Sequence, residues 1–361
     1  MPSIQDNYRE ALKWATQRGL ELHPHIERKI IDGVPGLFAK SKVNAGCTFA
    51  SIPKAALLNP RPNHYPAGTS TAAIHIHSAS REMDLGESSE FAPVFKLFDP
   101  EEYLREISVQ YLTSSEERTL ASAAPRLLRD ILEFRKSNIA LSSAICQFDK
   151  KIKQDTCSLV TLNYASRAMA DQGFVPILDC FNHNDVGGSG IASTADKLFL
   201  EARKDYLAGE QLYVTYGVLD LFKHAINYNY FDPKGAHFIP LERFILPISK
   251  ERATHLVANK TKNCRVFATP RPEFSQIAQP NAYFSTDGAS KSMIKILTLL
   301  CGDKTNAKRL ANDLLTQIDN QNEIHKHSKK EFKGRLMRFY NALHKEKQII
   351  AGSRAWLEKH F

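Results

Sequence analysis

Tyr8, Leu12 and Ala15 recur at helical spacing between residues 5 and 18, and Gly19 ends the run, so the chain opens on a short amphipathic helix. Compact apolar runs broken by turn residues follow at Ile30-Ile31, Gly36 to Ala39 and Cys47 to Pro53, and these predict short strands. From about Leu57 to Cys157 the spacing turns helical. Phe91, Val94, Phe95 and Phe98 form one stripe, and Leu127, Leu128, Ile131 and Leu132 form another. Strand-like runs return at Gly173 to Leu178, Leu198 to Leu200 and Gln211 to Tyr216, and Phe222 to Tyr230 reads as helix. Past about Pro233 the stripes Ile294, Leu297, Cys301 and Leu310, Leu314, Ile318 predict a mainly helical domain reaching Phe361.

The chain has 361 residues, 43% hydrophobic and 24% charged, enough for two separate cores and typical of a globular protein. The polar opening segment lacks a signal-peptide core, so no export is expected. No run approaches the roughly 18 to 20 apolar residues of a membrane span. Six cysteines lie far apart, without a C-x-x-C pair or zinc spacing, which predicts free thiols in a reducing compartment. That compartment is the cytoplasm, with the nucleus open for a eukaryotic source. A net charge of +9 favours contact with anionic surfaces.

The chemistry concentrates in GFVPILDCFNHND, residues 173 to 185, where an apolar run ends in Asp179, Asn182, His183, Asn184 and Asp185. Cys180 and His183 as nucleophile and base would leave one strand three residues apart, which rarely lets them face each other. Asp179, His183 and Asp185 as metal ligands lack a second His or Cys at a familiar spacing. A polar loop capping a core strand is the plain alternative.

Four segments in order resemble the SET-domain methyltransferases, in the subfamily of Rubisco large-subunit methyltransferase. The first is Trp14 and Gly19 followed by GVPGLFAKSKVNAGCTFASIP at 33 to 53. The second is Asp84 to Pro93 with Lys96-Leu97-Phe98. The third is Ser166-Arg167 followed by Asp179-x-x-Asn182-His183. The fourth is Gly209-Glu210-Gln211 through Tyr216-Gly217, with Tyr228-Asn229-Tyr230 where the family has Tyr-Gly-Phe. The sequence departs from the family at Leu219-Asp220-Leu221 and at Asn229, which replaces a glycine.

The resemblance implies an α+β fold: an N-terminal SET segment (1–56), a helical insertion (57–155), a C-terminal SET segment (156–235) and a mainly α-helical substrate-binding domain (236–361). It implies S-adenosyl-L-methionine as cofactor, held by Gly33, Val34, Pro35, Gly36, Leu37, Arg167, Asn182 and His183, with no metal. Arg167 suits the cofactor carboxylate because its planar fork donates two charge-assisted bonds. Tyr216 is the expected catalytic residue, orienting the acceptor amine. Tyr216, Tyr228 and Asp179 are the expected substrate contacts, although Asp179 is equally placed to cap the turn before Asn182. The expected activity is methyl transfer to a side-chain nitrogen, a lysine of a protein that belongs to the translation machinery or ribosome. A histidine acceptor and a catalytically silent binding module are the alternatives.

The C-terminal domain would hold the protein substrate, with a monomer the favoured state. Its run His325, Lys326, His327, Lys329, Lys330, Lys333, Arg335 and Arg338 would either meet an acidic partner, the ribosome or RNA, or form a solvated helix face.

Overall fold

The computed structural model describes residues 4–31, 34–58, 65–169, 172–184, 188–215, 220–258 and 260–360. Helix α1 (Ile4–Gln17) leads to strands β1 (Glu21–Leu22), β2 (Ile26–Ile31), β3 (Val34–Ala39) and β4 (Thr48–Pro53). Helices α2 (Thr71–Asp84), α3 (Ala92–Phe95), α4 (Glu101–Ile107), α5 (Ser114–Ala123), α6 (Pro125–Phe148) and α7 (Gln154–Arg167) follow. Strands β5 (Asn182–His183), β6 (Ile191–Ser193), β7 (Lys197–Glu201) and β8 (Tyr213–Val214) precede α8 (Leu221–Asn227). The remainder holds β9 (Ile239–Pro240), α9 (Lys250–Ala253), β10 (Arg265–Ala268), β11 (Ser275–Ala278), β12 (Tyr283–Ser285), β13 (Gly288–Ala289), α10 (Lys291–Cys301), α11 (Lys304–Asp319) and α12 (Met337–His360).

The chain divides into two compact units, residues 1–105 with 133–218, and residues 106–132 with 219–361. Part of the segment read as one helical insertion therefore clusters with the C-terminal region.

In the first unit, Gly19 takes φ 91° and the Leu20 amide reaches the Ala15 carbonyl, a bond that closes α1 in the way a left-handed glycine permits. The four-stranded sheet β1-β4-β7-β6 is antiparallel and packs Phe49, Ile52, Leu198 and Leu200 into a core with Leu37, Val175, Phe181 and Leu212. A second cluster gathers Ile76, Phe98, Val160 and Phe174 from the helical segments. The first two family-like segments meet physically. Trp14 donates through Nε1 to the Glu90 carbonyl, its ring lies 5.3 Å from Phe91, and Arg18 pairs with Glu90 at 2.8 Å.

The run Gly173 to Leu178 is not the expected strand. Gly173 sits at φ 71° and Ile177 at φ 70°, two left-handed turns that break extension, and Leu178–Cys180 is a single 3₁₀ turn. Those turns fold the apolar residues into the core, where Phe174, Val175, Ile177 and Leu178 are all buried.

In the second unit a three-stranded sheet, β13-β12-β9, and the hairpin β10-β11 accompany the helices. Helix α12 approaches the β12–β13 turn so closely that a Cβ on Gly352 would stand 2.2 Å from the Thr286 carbonyl oxygen. Leu127 and Ile131 are buried as their stripe predicted, but Leu132 is 43% exposed. Among the described residues no helix is long and apolar enough to cross a membrane.

The basic run is not one helix face. Residues 324–336 form three short 3₁₀ turns before α12, and three of the eight basic residues pair with carboxylates among the described residues. Lys326 pairs with Glu323, His327 with Glu331 at 2.8 Å, and Arg335 with Glu116 at 3.1 Å.

Candidate functional site

Strand β3 is the scaffold. Its inner edge pairs with β2 in register from Ile26↔Ala39 to Ile31↔Val34. Its outer edge is taken by the glycine-led segment before β8: the Gly209 amide donates to the Ala39 carbonyl (2.7 Å), Ala39 to Glu210 (2.9 Å) and Leu212 to Leu37 (2.8 Å). Gly209 makes that turn at φ 86°. The Gln211 side chain lies over Gly36, where a Cβ would come within 2.3 Å of its Nε2, so a larger residue at 36 would have to displace that amide.

The third segment closes on the same strand. Asn182 donates through Nδ2 to the Pro35 carbonyl at 2.9 Å, spanning 147 residues of sequence. Strands β5 and β8 run parallel with Asn182 opposite Tyr213 and His183 opposite Val214. Beyond them the Asn184 amide donates to Val214 and the Thr215 amide to Ser189. Gly188 fills this crossing. A Cβ there would meet the Asn184 carbonyl oxygen at 2.4 Å and the Val214 carbonyl carbon at 2.5 Å, both backbone atoms that cannot swing away. Gly188→Ala should therefore cost about 3 kcal/mol, at the upper end for overpacking, and a shift of the urea midpoint without a change in slope is the measurement that checks it.

Arg167, on the last turn of α7, is 17% exposed and held by two carboxylates, Asp179 at 3.3 Å and Asp99 at 3.2 Å. Burial works against its charge, and the two acids outweigh that and hold it above the ordinary arginine range. Asp179 moves up from the ordinary value because burial dominates and Asp99 competes for the same cation, only part of which Arg167 offsets. Both terminal nitrogens of Arg167 are thus engaged, while its buried Nε has no partner. Cys180 donates weakly to Asp179 at 3.7 Å, and burial pushes its thiol up to about 12. A buried, neutral thiol lends the hydrolase alternative no support. Cys180→Ser should consequently leave any activity of this site within about twofold of wild type, as initial rates would show.

The structure brings Pro35, Gly36, Leu37, Arg167, Asp179, Asn182 and His183 into one unit, with Val34 beginning β3. Gly33 and Tyr216 lie outside the described residues. Tyr228 belongs to the second unit, at the C-terminal cap of α8, where burial raises its phenol and its ring lies 5.9 Å from His224. Asp220 caps the start of that helix by accepting from the Phe222 and Lys223 amides. Burial tends to raise Asp220, but Arg243 at 2.7 Å and these amides outweigh it and hold the carboxyl low. No group of three or more metal-binding side chains occurs among the described residues. Sequence reasoning missed Asp99 and Gln211. The only signal was Gln211 within the Gly-Glu-Gln run; Asp99 stands 68 residues from Arg167 with nothing local to mark it.

Compared with solved structures, the chain aligns over 99% of its length with the SET domain of LSMT bound to lysine and AdoHcy, covering 92% of that chain with a TM-score of 0.68. The fold is that of the SET-domain methyltransferases. Rubisco LSMT bound to sinefungin and monomethyllysine aligns with a TM-score of 0.64, and Rubisco LSMT bound to AdoMet with 0.65, each over 98% of this chain. Sequence identities are 16%, 15% and 15%. Neither a protein-family model nor a curated protein matches the chain. At such low identity the likeness is one of fold, spread over nearly the whole chain.

Proposed function

We propose that the protein is an S-adenosylmethionine-dependent methyltransferase acting on a side-chain nitrogen of a protein, a lysine in the first instance. The observation that carries this reading is the bond from Asn182 to Pro35 of β3, in the same unit as Arg167 and its partner Asp179. S-adenosylmethionine, when bound, supplies an electrophilic methyl group on a sulfonium.

The residues present fit that cofactor. Asn182 spends its Nδ2 on Pro35 and keeps its Oδ1 for an ammonium. Arg167 keeps its orphaned Nε for a carboxylate, and the negative charge of Asp99 and Asp179 beside it favours the zwitterionic amino-acid end. Main-chain groups at Gly33 to Leu37 and at His183 are assigned to the rest of the cofactor. Solved SET-fold neighbours bound to AdoMet, AdoHcy and lysine support the assignment.

Tyr216 is assigned as the catalytic residue. Its hydroxyl orients the acceptor amine and stabilises developing charge, while an apolar surround lowers the lysine pKa so that the neutral amine attacks. Tyr228, a phenol raised by burial, and Asp179, which tethers Arg167, are the residues assigned to the acceptor side chain. The helical unit is assigned to the protein substrate. A translation-related target is the proposed class, reached in part through the exposed Lys329, Lys330 and Lys333.

The test is a calorimetric titration of the full chain with S-adenosylmethionine, followed by transfer of labelled methyl to lysate protein with Tyr216→Phe as control. Saturable binding and label on lysine, lost in Tyr216→Phe, are expected. Label on histidine would move the acceptor to that residue. Absence of binding would overturn the reading in favour of a silent binding module.

A further inference from the structure

We propose that Arg338 is a positioning residue for Tyr228, acting through the side chain of Asn229; the proposal rests on the assignment of Tyr228 to the acceptor. Asn229 follows Tyr228 directly and takes φ 55°, the left-handed region that an L-residue enters at a cost and that asparagine tolerates better than most. Its Oδ1 accepts from Arg338 Nη2 at 3.2 Å. The other terminal nitrogen of Arg338 donates to the Ile107 carbonyl at 2.7 Å, an open acceptor at the end of α4, and the guanidinium stands 4.8 Å over the Phe339 ring.

What sets Arg338 apart is that, among the described residues, no carboxylate pairs with it directly; Glu116, the partner of Arg335, favours its charge only from a distance. Arg335, one turn before it, uses Glu116 as counter-charge and the Ser108 carbonyl as second anchor. Arg338 has two neutral oxygens, and its buried Nε has no partner. Burial, with Arg335 adding to it and Glu116 offsetting part, pulls the Arg338 guanidinium down to about 9, still charged at neutral pH. A buried cation hydrogen-bonded to neutral oxygens is poor stabilisation, whereas a rigid fork bridging two fixed points is good geometry. One of those points is the residue whose left-handed turn fixes how the chain leaves α8 immediately after its capping residue Tyr228. The arrangement also gives a physical reason for asparagine at 229 instead of glycine: glycine satisfies the turn but offers no oxygen to the fork.

The test uses the full chain with fluorotyrosine incorporated, the Tyr228 line assigned by its loss in Tyr228→Phe. Asn229→Gly keeps the backbone turn and removes the acceptor. It is expected to leave the melting temperature nearly unchanged and to shift or broaden the Tyr228 line, with Arg338→Met giving the same displacement and Asn229→Asp retaining the wild-type line. Label transfer from S-adenosylmethionine to lysate protein is expected to fall about tenfold in Asn229→Gly while cofactor affinity stays at the wild-type value. A Tyr228 line unmoved in folded Asn229→Gly overturns the proposal and leaves Arg338 a staple between α12 and the end of α4. If wild type transfers no label, the methyltransferase reading has failed, and the fluorine line still decides the clamp.

Discussion

Arg167→Ala is expected to weaken S-adenosylmethionine binding about a hundredfold in calorimetric titration. Charge-assisted hydrogen bonds to a buried guanidinium are each worth roughly 1.5–3 kcal/mol, and about 2.7 kcal/mol corresponds to that factor. The variant also leaves Asp99 and Asp179, both now bonded to Arg167, without their common cation. Two effects therefore act together: the carboxylate of the cofactor loses its donor, and two acids repel it. Arg167→Lys should fall between, because an ammonium supplies charge but cannot serve Asp99, Asp179 and a third oxygen in one plane. Unchanged affinity in Arg167→Ala would mean that Arg167 only ties Asp99 to Asp179.

The second large effect concerns stability. Arg126 and Glu346 form a buried ion pair, 8% and 2% exposed, whose far oxygen accepts from Asn322 Nδ2 at 3.0 Å. Arg126 also lies 5.7 Å from the Phe222 ring, on which Arg243 is centred at the same distance before reaching Asp220 and Asp130. Arg126→Ala should cost about 3–5 kcal/mol, because it leaves a buried carboxylate uncompensated. Burial already raises Glu346 above its ordinary value of 4.5, with Arg126 holding it down in part, so losing Arg126 raises it further. A carboxyl raised in the folded state favours folding below its unfolded pKa, and that contribution is lost as pH rises through the folded value. The deficit of Arg126→Ala should accordingly be smallest near pH 4.5 and grow toward neutrality, which melting curves across that range would follow. Adding Glu346→Gln should recover part of the loss at pH 7, and no recovery would assign the cost to packing instead of charge.

The parts of the fold that sequence pattern exposed are those where one residue's local neighbours decide its conformation. Gly19 ends α1, the run Cys47 to Pro53 becomes β4, and the alternation Leu198, Leu200 buries one face of β7. The run Gly173 to Leu178 misled because a β-branched residue at φ 70° is a tertiary imposition that no propensity announces. Site residues followed the same division. Asn182 stood out through its neighbours, and its bond to Pro35 gave that signal a geometry. Asp99 was silent because its meaning lies entirely in where α7 places Arg167. The basic stretch from His325 to Arg338 looked like one surface, yet Glu116, from a segment more than two hundred residues earlier, takes one of its charges inward.

That long reach has a consequence for how the chain comes to be folded. Residues 106–132 belong with 219–361, and the lobe they interrupt ends only at 218. Neither half is a continuous stretch of polypeptide, so during synthesis residues 106–132, whose Leu127 and Ile131 are buried in the finished fold, emerge before the 219–361 part of their own unit. A gene truncated after residue 235 would not yield a free-standing lobe but a chain with an unclothed apolar segment in its middle, prone to stick to chaperones and to itself.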